Sequence, residues 1–142
     1  MLKRSKANWT TDIAKMHKKF GVNKAVKDMD ERTKALLLQF RISMIEEELG
    51  ELKEAHYKRD AEGVVDALID QAVFIIGTLN ILGVDADLAW DEVYKANMAK
   101  EPGVKPNRPN PLGLPDMLKP EGWKEPNLNC KKCLGDTKDF LQ

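Results

Sequence analysis

Residues 64–76 read Val64-Val65-Asp66-Ala67-Leu68-Ile69-Asp70-Gln71-Ala72-Val73-Phe74-Ile75-Ile76, an apolar run broken by two carboxylates. Apolar side chains on nearly every side of a helix predict that the helix is buried. A buried carboxylate is costly unless a cation or hydrogen bonds compensate it. Asp66 and Asp70 stand one helical turn apart, so they point the same way. Upstream lies a second acidic cluster, Glu46-Glu47-Glu48-Leu49-Gly50-Glu51. Two acidic patches on neighbouring helices predict a metal site.

The flanking sequence sets this run in an all-α frame. Its helix is predicted from about 61 to 82, ending at Gly83. Leu36, Leu37, Phe40, Ile42, Ile45, Leu49 and Leu52 recur near helical spacing and predict a long helix over roughly 31–58. Asp60-Ala61-Glu62-Gly63 reads as the turn between the two. Thr10 or Thr11 is expected to cap a first helix that ends at Gly21, with Ile13, Met16, His17 and Phe20 on one face. Asp85 is expected to cap a fourth helix from about 86 to 100. Residues 1–9 read as a loose arm. All seven prolines fall in 102–128, too many for a helix, and predict an irregular strap. Residues 129–142 read as a short tail, polar apart from Phe140 and Leu141. The expectation is a four-helix antiparallel unit over 10–100 with a Pro-rich irregular C-terminal extension. Short helices with one very apolar member predict self-association, as a dimer or tetramer, to complete the core.

The bulk composition excludes several classes. With 142 residues the chain fits one domain. Its 23 basic and 23 acidic residues balance, which argues against a nucleic-acid polymer as partner. Met1-Leu2-Lys3-Arg4-Ser5-Lys6 leads into polar sequence, unlike a secretory signal. The stretch 64–84 is too interrupted by Asp66, Asp70, Gln71 and Asn80 to span a bilayer, so no membrane partner is expected. Two cysteines without a leader point to a reducing, cytoplasmic setting.

At about 100° per residue, Glu47, Glu48 and Glu51 fall within roughly 100° of one another, while Glu46 points away as a surface charge. The short linkage through 59–63 makes the two helices antiparallel neighbours. Counting back from that turn brings 48–51 opposite 66–70. On a merely solvated face the like-charge pairs Glu47–Glu51 and Glu51–Glu54 would destabilise the helix slightly. All the candidate ligands are oxygens, which suits Mg²⁺ or Mn²⁺ over zinc. A di-iron bundle wants Glu-x-x-His pairs, but Lys53 precedes His56 by three and Ala14 precedes His17 by three. A magnesium site made of protein carboxylates leaves positions for substrate phosphates, which points to a nucleotide substrate.

Glu47-Glu48-Leu49-Gly50-Glu51-Leu52, followed by an aspartate-bearing apolar helix, resembles the MazG-like all-α nucleoside triphosphate pyrophosphohydrolases. That superfamily includes dimeric dUTPases, dCTP pyrophosphatases and phosphoribosyl-ATP pyrophosphatase. Its signature is Glu-Glu-x-x-Glu, a spacer, then Glu-x-x-Asp. Glu47, Glu48 and Glu51 meet the first half, and Asp70 fits the final aspartate. The penultimate acid is replaced by Ala67, and Asp66, one residue earlier, stands in its stead. Asn97-Met98-Ala99-Lys100 resembles the family's Asn-Met-x-Lys segment. Lys119-Pro120-Glu121-Gly122-Trp123-Lys124-Glu125-Pro126 resembles its Lys-Pro-x-Gly-Trp-x-x-Pro loop.

The resemblance implies Mg²⁺-dependent cleavage of the α–β bond of (deoxy)nucleoside triphosphates, giving a monophosphate and pyrophosphate. Glu48, Glu51 and Asp70 are then the metal ligands. Asp66 is a fourth ligand or orients one. Glu47 is the candidate base or a ligand of a second metal. Lys95, Asn97 and Lys100 are candidates for phosphate and sugar contacts; the lysines also read as a basic helix end favoured by the dipole. Trp9 and His17 are candidates to sandwich the base. Phe40 reads as core in preference to a third stacking partner of the base, and Arg41 as an ion-pair partner of the acidic helix in preference to a phosphate contact. A related hydrolase of another diphosphate such as phosphoribosyl-ATP is the alternative, as is a non-catalytic helical module docking a basic partner. Cys130-x-x-Cys133 stands outside all of this, as an incidental tail, half of a zinc site shared between chains, or a redox pair.

Overall fold

The computed structural model describes residues 8–108 and 110–141; most of the expected arm lies outside them. The all-α expectation holds. Among the described residues there are six helices: α1 Trp9–Lys19, α2 Val22–Lys27, α3 Glu31–Tyr57, α4 Ala61–Ile81, α5 Ala86–Met98 and α6 Lys131–Leu134. A short hairpin of β1 Glu101–Gly103 against β2 Asp116–Leu118 and a 3₁₀ turn, Thr137–Phe140, complete them.

The centre of the fold is the α3–α4 hairpin. Asp30 starts α3 by accepting from the Thr33 amide at 2.8 Å, and Asp60 starts α4 by accepting from the Gly63 amide at 3.0 Å. The reversal between them needs only Lys58, Arg59 and Asp60, with Arg59 at φ +56° and the Asp60 amide returning to the Ala55 carbonyl at 2.9 Å. A connection this short forces the helices to pack antiparallel along their length. Glu54 and Lys58 form an ion pair beside it at 2.7 Å. Asp85 caps α5 as expected, accepting from the Leu88 amide.

Four sequence expectations need correction. The cap of α1 is Asn8, whose side chain accepts from the Thr11 amide at 3.1 Å; neither Thr10 nor Thr11 caps it. Thr10 instead donates its hydroxyl to Asn8 Oδ1 at 2.8 Å and faces the Asp87 carboxylate at 3.2 Å, tying α1 to the start of α5. The six-residue α2 follows Gly21 and was not expected, being too short to show periodicity. The tail is not a polar appendage. Phe140 is 3% exposed and packs with Ile81 and Leu82 against Val22, Val26, Leu37, Leu38 and Val84, so the tail closes the core at the far end of α4.

The last correction concerns α4. In the single chain it is half covered, with Val65, Leu68, Ile69 and Ile75 exposed. Phe40 on α3, expected in the core, is 59% exposed, and Leu36 and Leu49 are exposed with it. Patches of large apolar side chains on this scale mark interaction surfaces.

Candidate functional site

Where α3 faces α4, the carboxyl of Glu48 is the most enclosed of the acidic cluster. Its Oε2 is shielded from solvent and has no hydrogen-bond partner. Loss of hydration pushes its pKa from 4.5 up to about 7, helped by a hydrogen bond with Glu51 and by the charges of Glu51, Asp70 and Glu47. These four side chains are therefore gathered by the α3–α4 hairpin, with Asp70 half-buried and Glu47 and Glu51 exposed. Asp66 is exposed and does not belong to the set of charges acting on Glu48. The two aspartates of the apolar run thus differ, Asp70 turned into the hairpin and Asp66 out to its rim. Among the described residues no three acidic, histidine or cysteine side chains converge tightly enough to make a finished metal cage.

A residue the sequence did not flag stands beside Asp70. Gln71 Nε2 is buried without a partner. An unsatisfied buried donor or acceptor costs roughly 1–3 kcal/mol, and both such side-chain atoms among the described residues fall on the two helices that carry the carboxylates. No periodicity or charge pattern marks an isolated glutamine, so only the fold reveals it.

His17 lies inside the bundle. It is 9% exposed, and its Nδ1 donates to Asn80 Oδ1 at 2.6 Å. Among the described residues Arg41 pairs with no carboxylate: Nε donates to Thr78 Oγ1 and Nη2 to the Phe74 carbonyl, each at 3.0 Å, and the guanidinium lies over the Phe74 ring at 5.2 Å. Burial lowers its pKa. This polar seam between α1, α3 and α4 needs Gly77, because a Cβ there would meet Arg41 Nη2 at 2.6 Å and His17 Nε2 at 3.3 Å. Both side chains are therefore positioned inside the bundle rather than at a binding face.

Lys95 on α5 and Lys100 just beyond its end are not among the groups that shift Glu48. Lys100 Nζ lies over the Trp123 ring at 5.2 Å, with Lys119 over the same ring at 4.8 Å. The Trp123 indole donates to the Ala96 carbonyl at 2.7 Å, satisfying a carbonyl near the end of α5. Lys95 lines a groove of about 430 Å³ between α5 and the Trp123 loop, and Asn97 is half-buried on the same helix. No lysine acts on Glu48 in the single chain. Trp9, by contrast, is exposed at the mouth of an apolar groove of about 450 Å³ between α1 and α4, lined also by Ile13, Met16, Ile69, Val73 and Ile76. Ile69 precedes Asp70 in sequence, but successive side chains of a helix point about 100° apart, and the groove's lining includes none of the clustered carboxylates.

The family model of phosphoribosyl-ATP pyrophosphohydrolase matches residues 13–97, more than half of the chain and all of the acidic hairpin. The chain belongs to the phosphoribosyl-ATP pyrophosphohydrolase family. That family lies within the MazG-like nucleoside triphosphate pyrophosphohydrolase superfamily. Membership in the phosphoribosyl-ATP pyrophosphohydrolase family supports an enzyme that hydrolyses a pyrophosphate linkage. A search of curated proteins gives no match.

Proposed function

We propose that this chain is a Mg²⁺-dependent pyrophosphohydrolase that cleaves the α–β bond of (deoxy)nucleoside triphosphates to a monophosphate and pyrophosphate. Nucleotide-pool control or house-cleaning in the cytoplasm is the corresponding role, with neither a membrane nor a nucleic-acid polymer as partner. The observation that carries the reading is Glu48, a carboxyl with one unpartnered buried oxygen and three further carboxylates around it. The charges of Glu47, Glu51 and Asp70 around a desolvated Glu48 favour a bound proton or cation there.

The donor set fits Mg²⁺, and Mn²⁺ by the same oxygens. Magnesium is bound through one or two carboxylates, with water and substrate phosphates completing the shell, rather than by a full protein cage. An open cluster supports that better than a closed one would. Glu48, Glu51 and Asp70 would hold the ion, with Asp66 at the rim as an outer partner. When bound, the ion supplies charge neutralisation and polarises the phosphoryl group. Glu47 is exposed at the edge of the cluster, where it would accept the proton of the attacking water. Trp9 and the apolar groove between α1 and α4 offer the base a stacking surface. His17, held by Asn80, supports α1 from within.

Self-association as a dimer or tetramer is part of the same reading. The exposed Leu36, Phe40, Leu49, Val65, Leu68 and Ile69 support it. In such an assembly Lys95, Asn97 and Lys100 would serve the phosphates of a neighbouring copy's site, since in their own chain the two lysines accompany Trp123.

A panel of canonical and modified (d)NTPs, assayed for pyrophosphate with and without Mg²⁺, tests the proposal. Glu51→Gln and Asp70→Asn should each abolish turnover while the fold persists, and retained turnover in either variant removes the metal assignment. The family match favours a second reading, phosphoribosyl-ATP as substrate. Faster release of pyrophosphate from phosphoribosyl-ATP than from any (d)NTP would decide for it.

A further inference from the structure

The Cys130-x-x-Cys133 motif is not used by any part of the site above. It forms a tight turn in which the Cys133 amide donates to Cys130 Sγ at 3.3 Å, and the two thiols are hydrogen-bonded to each other. Cys130 is exposed and Cys133 is 6% exposed. One helical turn separates their Cα atoms, within the range of about 4.4–6.8 Å that a disulfide spans. The turn is pinned to the rest of the fold. The Asp85 amide donates to the Lys132 carbonyl at 2.8 Å, and the Asp136 amide to the Leu82 carbonyl at 2.7 Å. Gly135 packs so closely on Leu82 and Gly83 that a Cβ would meet their carbonyl oxygens at 2.5 Å.

From this geometry we infer that Cys130 and Cys133 are a dithiol–disulfide couple that exchanges with small disulfides, Cys130 being the attacking thiol and Cys133 the resolving one. The division of labour follows from access and from charge. Cys130 meets solvent and Cys133 does not. The hydrogen bonds from Cys133 and from the Lys132 amide lower the pKa of Cys130, whereas the neighbouring Cys130, burial, Glu92 and Asp85 push that of Cys133 up to about 11. The thiolate is the nucleophile in exchange. Among the described residues no third cysteine, histidine or acid joins the pair to form a metal site within one chain.

The reaction balances without a cofactor. Cys130 Sγ, as thiolate, attacks one sulfur of a disulfide RS–SR; that bond breaks, a Cys130–SR bond forms and RS⁻ leaves. Cys133 releases its proton to water and its Sγ attacks Cys130 Sγ, breaking the Cys130–SR bond and expelling the second RS⁻. The protein loses two electrons and the small disulfide is reduced to two thiols.

The full reduced chain incubated with oxidised glutathione, followed by intact mass and free-thiol titration, tests this. The wild type should lose both thiols, gain no retained glutathione and form no covalent dimer. Cys133→Ser should accumulate one glutathione on Cys130, and Cys133→Ala repeats that trap without a hydroxyl at the buried position. Cys130→Ser should react about tenfold more slowly or less. Equal rates in the two single variants, glutathione retained by the wild type, covalent dimers, or purified protein holding zinc with both thiols protected would each overturn the inference.

Discussion

Gly77→Ala sets two opposing effects against each other at one atom. In an open mid-helix position the change from glycine to alanine stabilises by about 0.8–1.0 kcal/mol. At Gly77 the new Cβ would lie 2.6 Å from Arg41 Nη2 and 3.3 Å from His17 Nε2. His17 is held by Asn80 at 2.6 Å, so the guanidinium is the group that gives way. Moving it breaks the bond from Nη2 to the Phe74 carbonyl, and hydrogen bonds to charged groups are worth about 1.5–3 kcal/mol. The net expectation is destabilisation by about 1–2 kcal/mol, which for a chain of this size lowers Tm by roughly 3–8 °C. Thermal and urea unfolding followed by far-UV circular dichroism measure it. The decisive comparison is the same substitution in an Arg41→Ala background. With the guanidinium gone, Gly77→Ala should be neutral or stabilising, giving a coupling of about 2 kcal/mol between the two positions. If Gly77→Ala stabilises both backgrounds equally, the argument that Arg41 occupies the space of the missing side chain is wrong.

Glu48, with its pKa raised to about 7, is favoured by the fold in its protonated form. Its contribution to stability is therefore full below about 4.5 and is lost as pH rises through about 7, so metal-free protein should lose Tm across that window, Glu48→Gln should flatten the slope, and Mg²⁺ at the alkaline end should restore Tm in the wild type alone. Phe140→Ala should cost about 3–5 kcal/mol by opening a cavity against Ile81 and Leu82; a cost below 1 kcal/mol in urea unfolding would mean that the tail is not part of the core. Trp123→Phe leaves the Ala96 carbonyl without its indole donor and should speed tryptic cleavage after Lys124 with a small change in Tm; unchanged cleavage would count against the indole as the latch of that loop.

Local chemistry made much of the fold legible. Asp85 stands directly before the helix it caps, and the α3 and α4 periods are long enough to read through their charges. The start of α1 was harder, because Asn8 and Thr10 both carry capping oxygens and only the backbone geometry selects Asn8. The role of Phe140 was not legible at all, since it depends on contacts with Val22 and Leu37 at the other end of the sequence. The carboxylates show the same division. Spacing alone groups Glu47, Glu48 and Glu51, and the short turn sets Asp70 opposite them. Whether Asp66 follows Asp70 inward depends on how α4 is rotated against α3, which a one-turn spacing does not specify. His17 read as a binding candidate, and Arg41 as an ion-pair partner of the acidic helix, because their partners Asn80 and Thr78 are distant in sequence.

The packing of Phe140 also divides the folding reaction in time. The α3–α4 hairpin joins residues close in sequence and carries little loop-closure cost, whereas bringing residue 140 onto residues 22 and 26 closes most of the chain. The hairpin, and the carboxylates with it, can therefore assemble early, before the tail docks over Ile81 and Leu82. Interactions formed after the transition state govern how fast the native state opens rather than how fast it forms. In this chain the aromatic plug at position 140 is accordingly a brake on unfolding, set about three turns along α4 from Asp70.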